Sequence, residues 1–342
     1  MSLELIVAGA LLVALTAYLL TGGADYGAGV WYLFARGERA GAHRALIDQA
    51  LAPIWEANHV WLIFVLVLLF TAFPPAFTAI MTRLHIPLTL LLIGIVTRGA
   101  SFAFHHSDVP FGPLHAQWER LFSLASLLTP FCLGIVIGTI AGGLPAQSGG
   151  FSVTFISPWL QIFPFLVGLL TVALVSYVAA AYLIIEAANE RLKKDFRWRA
   201  IAAGLAVSFL EETVFLASYS GAPILWGALT STEWGAAVQF GTAAAGLAAI
   251  VCLWHNRFRW ARFCVVAHVT LLIWAWAFAQ FPYLVPPHLT IYTAAAPTQT
   301  LRWLLLALCI GALLLFPSLY YLFRIFKQRA MFTHHDPPPR GE

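Results

Sequence analysis

The chain has 342 residues, 61% of them hydrophobic and only 10% charged, with a formal net charge of +4 at pH 7. Soluble domains carry roughly 25% charged residues, so this chain cannot cover a water-facing surface, and a soluble enzyme or binding module is excluded. The positive balance does not point to nucleic acid, because the basic residues fall in short segments between apolar runs, where membrane proteins keep them.

In chain order, nine apolar runs reach the ~20 residues that cross a bilayer as a helix. They are Leu3 to about Gly22 (with an extension towards Phe34), Pro53 to Ile80, Leu84 to Phe104, Trp118 to Gly142, Trp159 to Glu186, Trp198 to Tyr219, Ala236 to Trp254, Trp260 to Phe281 and Leu301 to Phe326. The runs are continuously apolar rather than alternating, which argues against barrel strands. The expected fold class is an all-α integral membrane protein with about nine transmembrane helices. Met1-Ser2-Leu3-Glu4 lacks a basic n-region, so the first run is expected to be a retained helix. Glu211 and Glu212 interrupt the sixth. Cys132, Cys252, Cys264 and Cys309 all sit in apolar runs and read as buried, reduced thiols with no metal role. The tail from 327 to 342, with His334, His335, Asp336 and three prolines, is expected to be a disordered cytoplasmic segment.

Lys and Arg set the orientation. With nine spans, alternate loops lie on opposite sides of the membrane. Arg36, Arg39, Arg44, the cluster from Arg191 to Arg199, and Arg257 to Arg262 all fall on one side, and only Arg83 and Arg302 on the other. The positive-inside rule then puts the N-terminus outside and the C-terminus in the cytoplasm.

Ionisable groups within spans cost at least ~2.5–3.5 kcal/mol each, so they mark candidate functional sites. Asp25 lies near the cytoplasmic end of the first span. Glu56 and His59 open the second from the cytoplasmic side, three residues apart on one helix face. Arg98 lies fourteen residues into the third, roughly 21 Å from its outer end. These groups occupy one layer, with Trp55, Asn58 and Trp61 around them. Two readings stand side by side: a proton-entry site, with a carboxylate balanced between burial and a nearby arginine, or an ion-pair network that pins three helices. The glycines from Gly22 to Gly29 read as close helix packing. Glu211 and Glu212 would line a second hydrophilic path or face a partner subunit. His268 reads as a hydrogen bond to a neighbouring helix more readily than as a haem ligand. His105, His106, Asp108 and His115 read as a solvated loop.

Thr21 to Gly29, Arg44 through Asp48, Pro53-Ile54-Trp55-Glu56-Ala57-Asn58-His59-Val60-Trp61-Leu62-Ile63, and Phe73-Pro74 resemble subunit II of cytochrome bd-type quinol oxidases. The family pattern there runs roughly Asp-Gly-Phe-Asp-x-Gly, then Pro-x-Trp-Asp-Gly-Asn-x-Val-Trp-Leu. Arg98 falls where the family has an arginine in its third helix. Phe281-Pro282, Pro286, Leu289-Thr290 and the run to Leu301 look like the family's approach to its last helix. Gly22 replaces the first Asp of the glycine motif, Glu56 the usual Asp and Ala57 a Gly, which suggests a divergent branch.

The resemblance implies two four-helix bundles plus one peripheral helix. Over this chain that means a first bundle in 1–142 and a second bundle with the extra helix in 143–326. It implies a subunit without haem of its own and without catalytic or metal-binding residues, paired with a homologous subunit I that holds two haems b and haem d. A small single-span subunit often joins them in a bacterial cytoplasmic membrane, surrounded by lipid. Quinol would be the substrate of the complex and dioxygen its oxidant. Glu56, with Asp25, His59 and Arg98, would carry protons from the cytoplasm, supported by Trp55, Asn58 and Trp61. The rival readings are a secondary transporter and a purely structural membrane subunit of a redox complex.

Overall fold

The computed structural model describes residues 2–51, 55–105, 114–144 and 150–332, with the side chains of 55–57, 105, 114–116, 316, 319–320 and 322–332 left aside. In a bilayer every backbone polar group must be satisfied within the chain, and the molecule meets this with long helices. They are α1 (Leu3–Leu33), α2 (Ala40–Leu51), α3 (Trp55–Ala72), α4 (Pro74–Arg83), α5 (His85–His105), α6 (Leu114–Gly142), the short α7 (Phe151–Phe155), α8 (Ile162–Glu186), α9 (Glu190–Gly221), α10 (Pro223–Ser231), α11 (Glu233–Trp254), α12 (Phe258–Gln280) and α13 (Thr298–Phe332). A two-stranded antiparallel pair, β1 (Tyr283–Val285) and β2 (Leu289–Thr290), precedes α13.

Among the described residues, eight helices are long and apolar enough to cross a membrane, and a ninth span is formed if α3 and α4 count as one. This bears out the expectation of about nine. The second span differs from the expected single run. The chain turns by 118° between α3 and α4. Pro74 has no N–H to continue the ladder and restricts the residue before it, so α3 stops and Pro74 starts α4 instead. Phe73, at the corner, is fully buried. The first span takes the longer of its two expected lengths, and α13 runs on as far as Phe332, while 333–342 lie outside the described residues.

Helix α8 is central. It packs on α1, α6, α9 and α12, so the two halves of the chain share one interior. Small residues make this possible. A Cβ on Gly27 of α1 would overlap the Val175 carbonyl of α8, one on Gly29 would overlap Ser126 of α6, and one on Gly134 of α6 would strike Gly168 and Thr171 of α8. Close approach through small residues is how membrane helices gain packing without a hydrophobic drive between them. Trp31 Nε1 donates to the Ser176 carbonyl at 2.8 Å, and Trp274 Nε1 to Thr16 Oγ1 at 3.1 Å, tying α1 to α8 and α12.

The cysteines are all free, as expected, but only Cys132 is buried. Cys252 and Cys264 are half-buried and Cys309 is exposed. The reason is that an apolar run in a bilayer does not imply an interior position, and α13 is largely unburied.

Candidate functional site: a buried polar layer

Four elements bring their polar side chains to one sealed layer. Asp25 lies on α1, Asn58 and His59 on α3, Arg98 on α5 and Ser126 on α6. Asp25, Asn58 and Arg98 are 3%, 4% and 1% exposed. Asn58 Nδ2 donates to Asp25 Oδ2 at 2.8 Å. Arg98 Nε donates to Ser126 Oγ at 3.3 Å. The Arg98 guanidinium carbon stands 4.8 Å from the centre of the Tyr26 ring and 5.3 Å from that of Phe122. Among the described residues no carboxylate pairs with it directly. Two aromatic faces therefore hold the cation in place. The His59 ring packs on Tyr18 and Tyr26 at 6.4 and 5.9 Å, and the Tyr18 hydroxyl donates to that of Tyr26 at 3.3 Å.

Asp25, His59 and Arg98 thus lie together. Asn58 is the direct partner of Asp25, and Trp61 is half-buried against Phe64 one turn further along. The side chains of Trp55 and Glu56 lie outside the described residues, as do His106, Asp108, the side chains of His105 and His115, His334, His335 and Asp336. The arrangement offers a carboxylate with one fixed donor and a buried cation near it, bordered by an imidazole and two hydroxyls. Such groups can hold and pass a proton.

Below this layer is a rim that sequence reasoning missed. Helix α2 lies against α1 and α8. His43 on α2 is 4% exposed. Its Nε2 meets Asp195 Oδ2 on α9 at 2.9 Å, and Arg199 donates to its Nδ1 at 3.2 Å. A donor on one ring nitrogen and an acceptor on the other fix the neutral tautomer with its proton on Nε2. Burial accordingly holds the His43 pKa below its usual 6.5, with Asp195 opposing and Arg199 and Arg39 assisting. Arg39 also reaches Asp195 at 3.2 Å. Nearby, Glu119 of α6 accepts from Tyr32 at 3.0 Å and from Arg44 at 2.8 Å. The only signal for these pairs in the sequence was the density of charge in the loops.

A second polar group lies deeper in the other half. His268 of α12, 1% exposed, meets Glu211 of α9, with Nε2 3.0 Å from Oε1 and 3.2 Å from Oε2. Tyr177 of α8 stands edge-on to the imidazole at 6.2 Å, and a Cβ on Gly246 of α11 would come within 2.9 Å of it. With Nε2 on Glu211 and with Tyr177 and Gly246 against the ring, His268 ties α12 to α9. It is the interhelical hydrogen bond of the simpler expectation. Glu211 also borders a cavity of ≈170 Å³, lined chiefly by apolar side chains such as Leu133, Phe163 and Leu174, with Tyr18 and Trp276. Among the described residues no three His, Cys, Asp or Glu side chains gather as a metal site.

The family description "cytochrome bd terminal oxidase subunit II" matches residues 3–326. The chain is 28% identical over 155 residues to a cytochrome bd ubiquinol oxidase subunit 2 of Bacillus subtilis, covering 45% of each chain. It is 24% identical over 182 residues to the cytochrome bd-I ubiquinol oxidase subunit 2 of Escherichia coli K12, covering 52% of this chain and 47% of that one. The chain thus spans about half the length of these curated relatives. The bd oxidase structure from Geobacillus thermodenitrificans has the same fold, with a TM-score of 0.75 over 95% of this chain and 99% of that one, at 24% identity. A buried Asp25–Asn58–Arg98 layer in a multi-pass helical membrane protein, and a family match that runs almost from end to end, lead to one conclusion: the chain belongs to the cytochrome bd terminal oxidase subunit II family.

Proposed function

We propose that this chain is the second subunit of a quinol:oxygen oxidoreductase of the bacterial cytoplasmic membrane, active only within its complex. Its partner is a homologous subunit I that holds two haems b and haem d, with lipid and a small single-span subunit completing the assembly. Those haems, when bound there, supply the chemistry that passes electrons from quinol to dioxygen. This chain carries no haem of its own. It divides into a first bundle in 1–142, a second bundle with the peripheral helix in 143–326, and a cytoplasmic tail from 327. Its N-terminus faces outward and its C-terminus the cytoplasm.

The chain's own task is to supply protons. The observation that carries this reading is the Asp25–Asn58 hydrogen bond sealed at 3% and 4% exposure beside a buried Arg98. A buried carboxylate is costly in a bilayer and is kept where it does something. Glu56 is the loading carboxylate on the cytoplasmic side. Asp25 receives the proton on the oxygen not engaged by Asn58. Arg98 offsets the charge that remains when the proton leaves, and His59 borders the route.

The test is Glu56→Gln in the purified complex. Oxygen consumption should fall roughly a hundredfold or more, the scale of losing one positioned proton-transfer group, while haem content per complex stays the same. Loss of haem or of assembly would instead favour the purely structural reading, in which the layer pins α1, α3 and α5. Unchanged turnover would remove Glu56 from the route.

A further inference from the structure

Helix α9 carries two adjacent glutamates, one turned to the interior and the other, about 100° round the helix, to the outside. Glu211 turns inward to His268. Glu212 is exposed and, among the described residues, makes no hydrogen bond or ion pair. It lies fourteen residues after Trp198 and nine before Gly221, roughly 21 Å and 14 Å from those points, which is mid-bilayer depth.

The face around it is regular. Trp198, Ala202, Leu205, Phe209, Glu212, Leu216 and Tyr219 are all exposed and are spaced alternately four and three residues apart. Phe209, Leu216 and Tyr219 are 71%, 58% and 69% exposed. A 4-3 alternation keeps the same side chains on one seam along a neighbouring helix. The seam runs roughly 32 Å, the thickness of the hydrocarbon core. Exposed Ala202, Ala206 and Ser208 leave room for a close approach. Lipid cannot satisfy a carboxylate at its centre. A second copy of this chain is a poor match: every Lys and Arg lies towards the helix ends except Arg98, which is 1% exposed, Asn58 and His268 are buried at 4% and 1%, and the Gln239 amide already donates to the Leu229 and Gly235 carbonyls.

We propose that the Glu212 face of α9 docks a transmembrane helix of another chain, one that presents Arg, Lys, His or a side-chain amide at mid-span opposite Glu212. The carboxylate sets depth and register, as a single polar residue does in a helical seam.

The experiment places a photo-crosslinking phenylalanine analogue at Phe209 in the intact complex purified from native membranes. The same analogue at Phe240 of α11, 78% exposed, is the control. The expected adduct from Phe209 is a peptide of a membrane-spanning segment of another chain that contains one of those donors, whereas Phe240 yields lipid adducts. Glu212→Leu should lower the Phe209 adduct yield about fivefold, the scale of one hydrogen bond between membrane helices, and Glu212→Gln should restore most of it. The melting temperature of the complex core, read alongside, guards against misfolding. Lipid adducts alone, adducts to a second copy of α9, or a yield indifferent to Glu212→Leu in a folded complex would each overturn the proposal.

Discussion

Asp25 and Asn58 come from helices whose contact residues are otherwise mostly apolar, and one 2.8 Å hydrogen bond joins them out of reach of water. Replacing Asn58 with Leu removes the donor and leaves the acceptor. The cost of an unsatisfied buried group is about 1–3 kcal/mol, more if the group stays charged. Thermal denaturation of the complex should show that loss, and Asp25→Leu combined with Asn58→Leu should recover part of it, because the penalty belongs to the pair. His43 makes the opposite kind of prediction. Its pKa is lowered in the fold, so the unfolded chain binds the extra proton first. The stability this contributes is complete above pH 6.5 and drains away as pH falls from there through the lower folded value. A proton on Nδ1 would also expel the Arg199 donor. The melting temperature of the wild type should therefore drop between pH 7 and 5.5, and His43→Gln, whose amide can still accept from Arg199 and donate to Asp195, should flatten that slope. Asp25, His59 and Arg98 were legible in the sequence because polarity inside an apolar run stands out. The pairing of His43 with Asp195 was not, since both lie in polar stretches and 152 positions separate them. Nor was the hydroxyl pair of Tyr18 and Tyr26, because tyrosines are ordinary in membrane helices.

At the scale of elements, hydropathy located the spans because the bilayer sets the length of what crosses it. It did not give the 118° turn after α3, since Pro74 and Pro75 announce a break but not its direction. The turn leaves Phe73 buried in one cluster with its neighbours Leu68, Ala72 and Ala76 and with Val136, Val285 and Leu301 from distant parts of the chain, which local sequence does not reveal. Helix α2 was missed because twelve residues of mixed polarity do not stand out from a charged loop. The glycines of α1 were read correctly as a packing surface, and they allow a sharp comparison. Gly27→Ala places a methyl on the Val175 carbonyl, whereas nothing lies within 4 Å of a Cβ on Gly9 of the same helix. Overpacking of that kind costs about 1–3 kcal/mol, occasionally more. Gly27→Ala should lower the melting temperature and the yield of assembled complex, while Gly9→Ala leaves both unchanged. Equal behaviour of the two variants would mean that α1 can slide on α8, and the close crossing would then not be a fixed feature of the fold.

For the whole molecule, the proposed orientation joins the distribution of charge to the direction of proton supply. The segment after α1 holds Arg36 and Arg39, and α2 holds Arg44, on the same side as the Arg191–Arg199 cluster that opens α9. The turn between β1 and β2, with His288, lies at the opposite end of α12 from Arg257 and Arg259. The buried layer at Asp25 is nearer the basic side, eight residues and roughly 12 Å from Leu33 along α1. If the basic side faced outward, the polar layer would open towards the wrong compartment for drawing protons from the cytoplasm. Glu38 and His288 are both exposed and sit on opposite sides, so single cysteines there report the orientation. A membrane-impermeant maleimide added to intact spheroplasts should label the cysteine of His288→Cys and spare that of Glu38→Cys. In inverted vesicles the pattern should reverse, with the parent chain as background for its four native cysteines. The opposite pattern would place the rim of His43, Arg44 and Glu119 outside, and proton supply through Asp25 would have to run against the direction proposed for it.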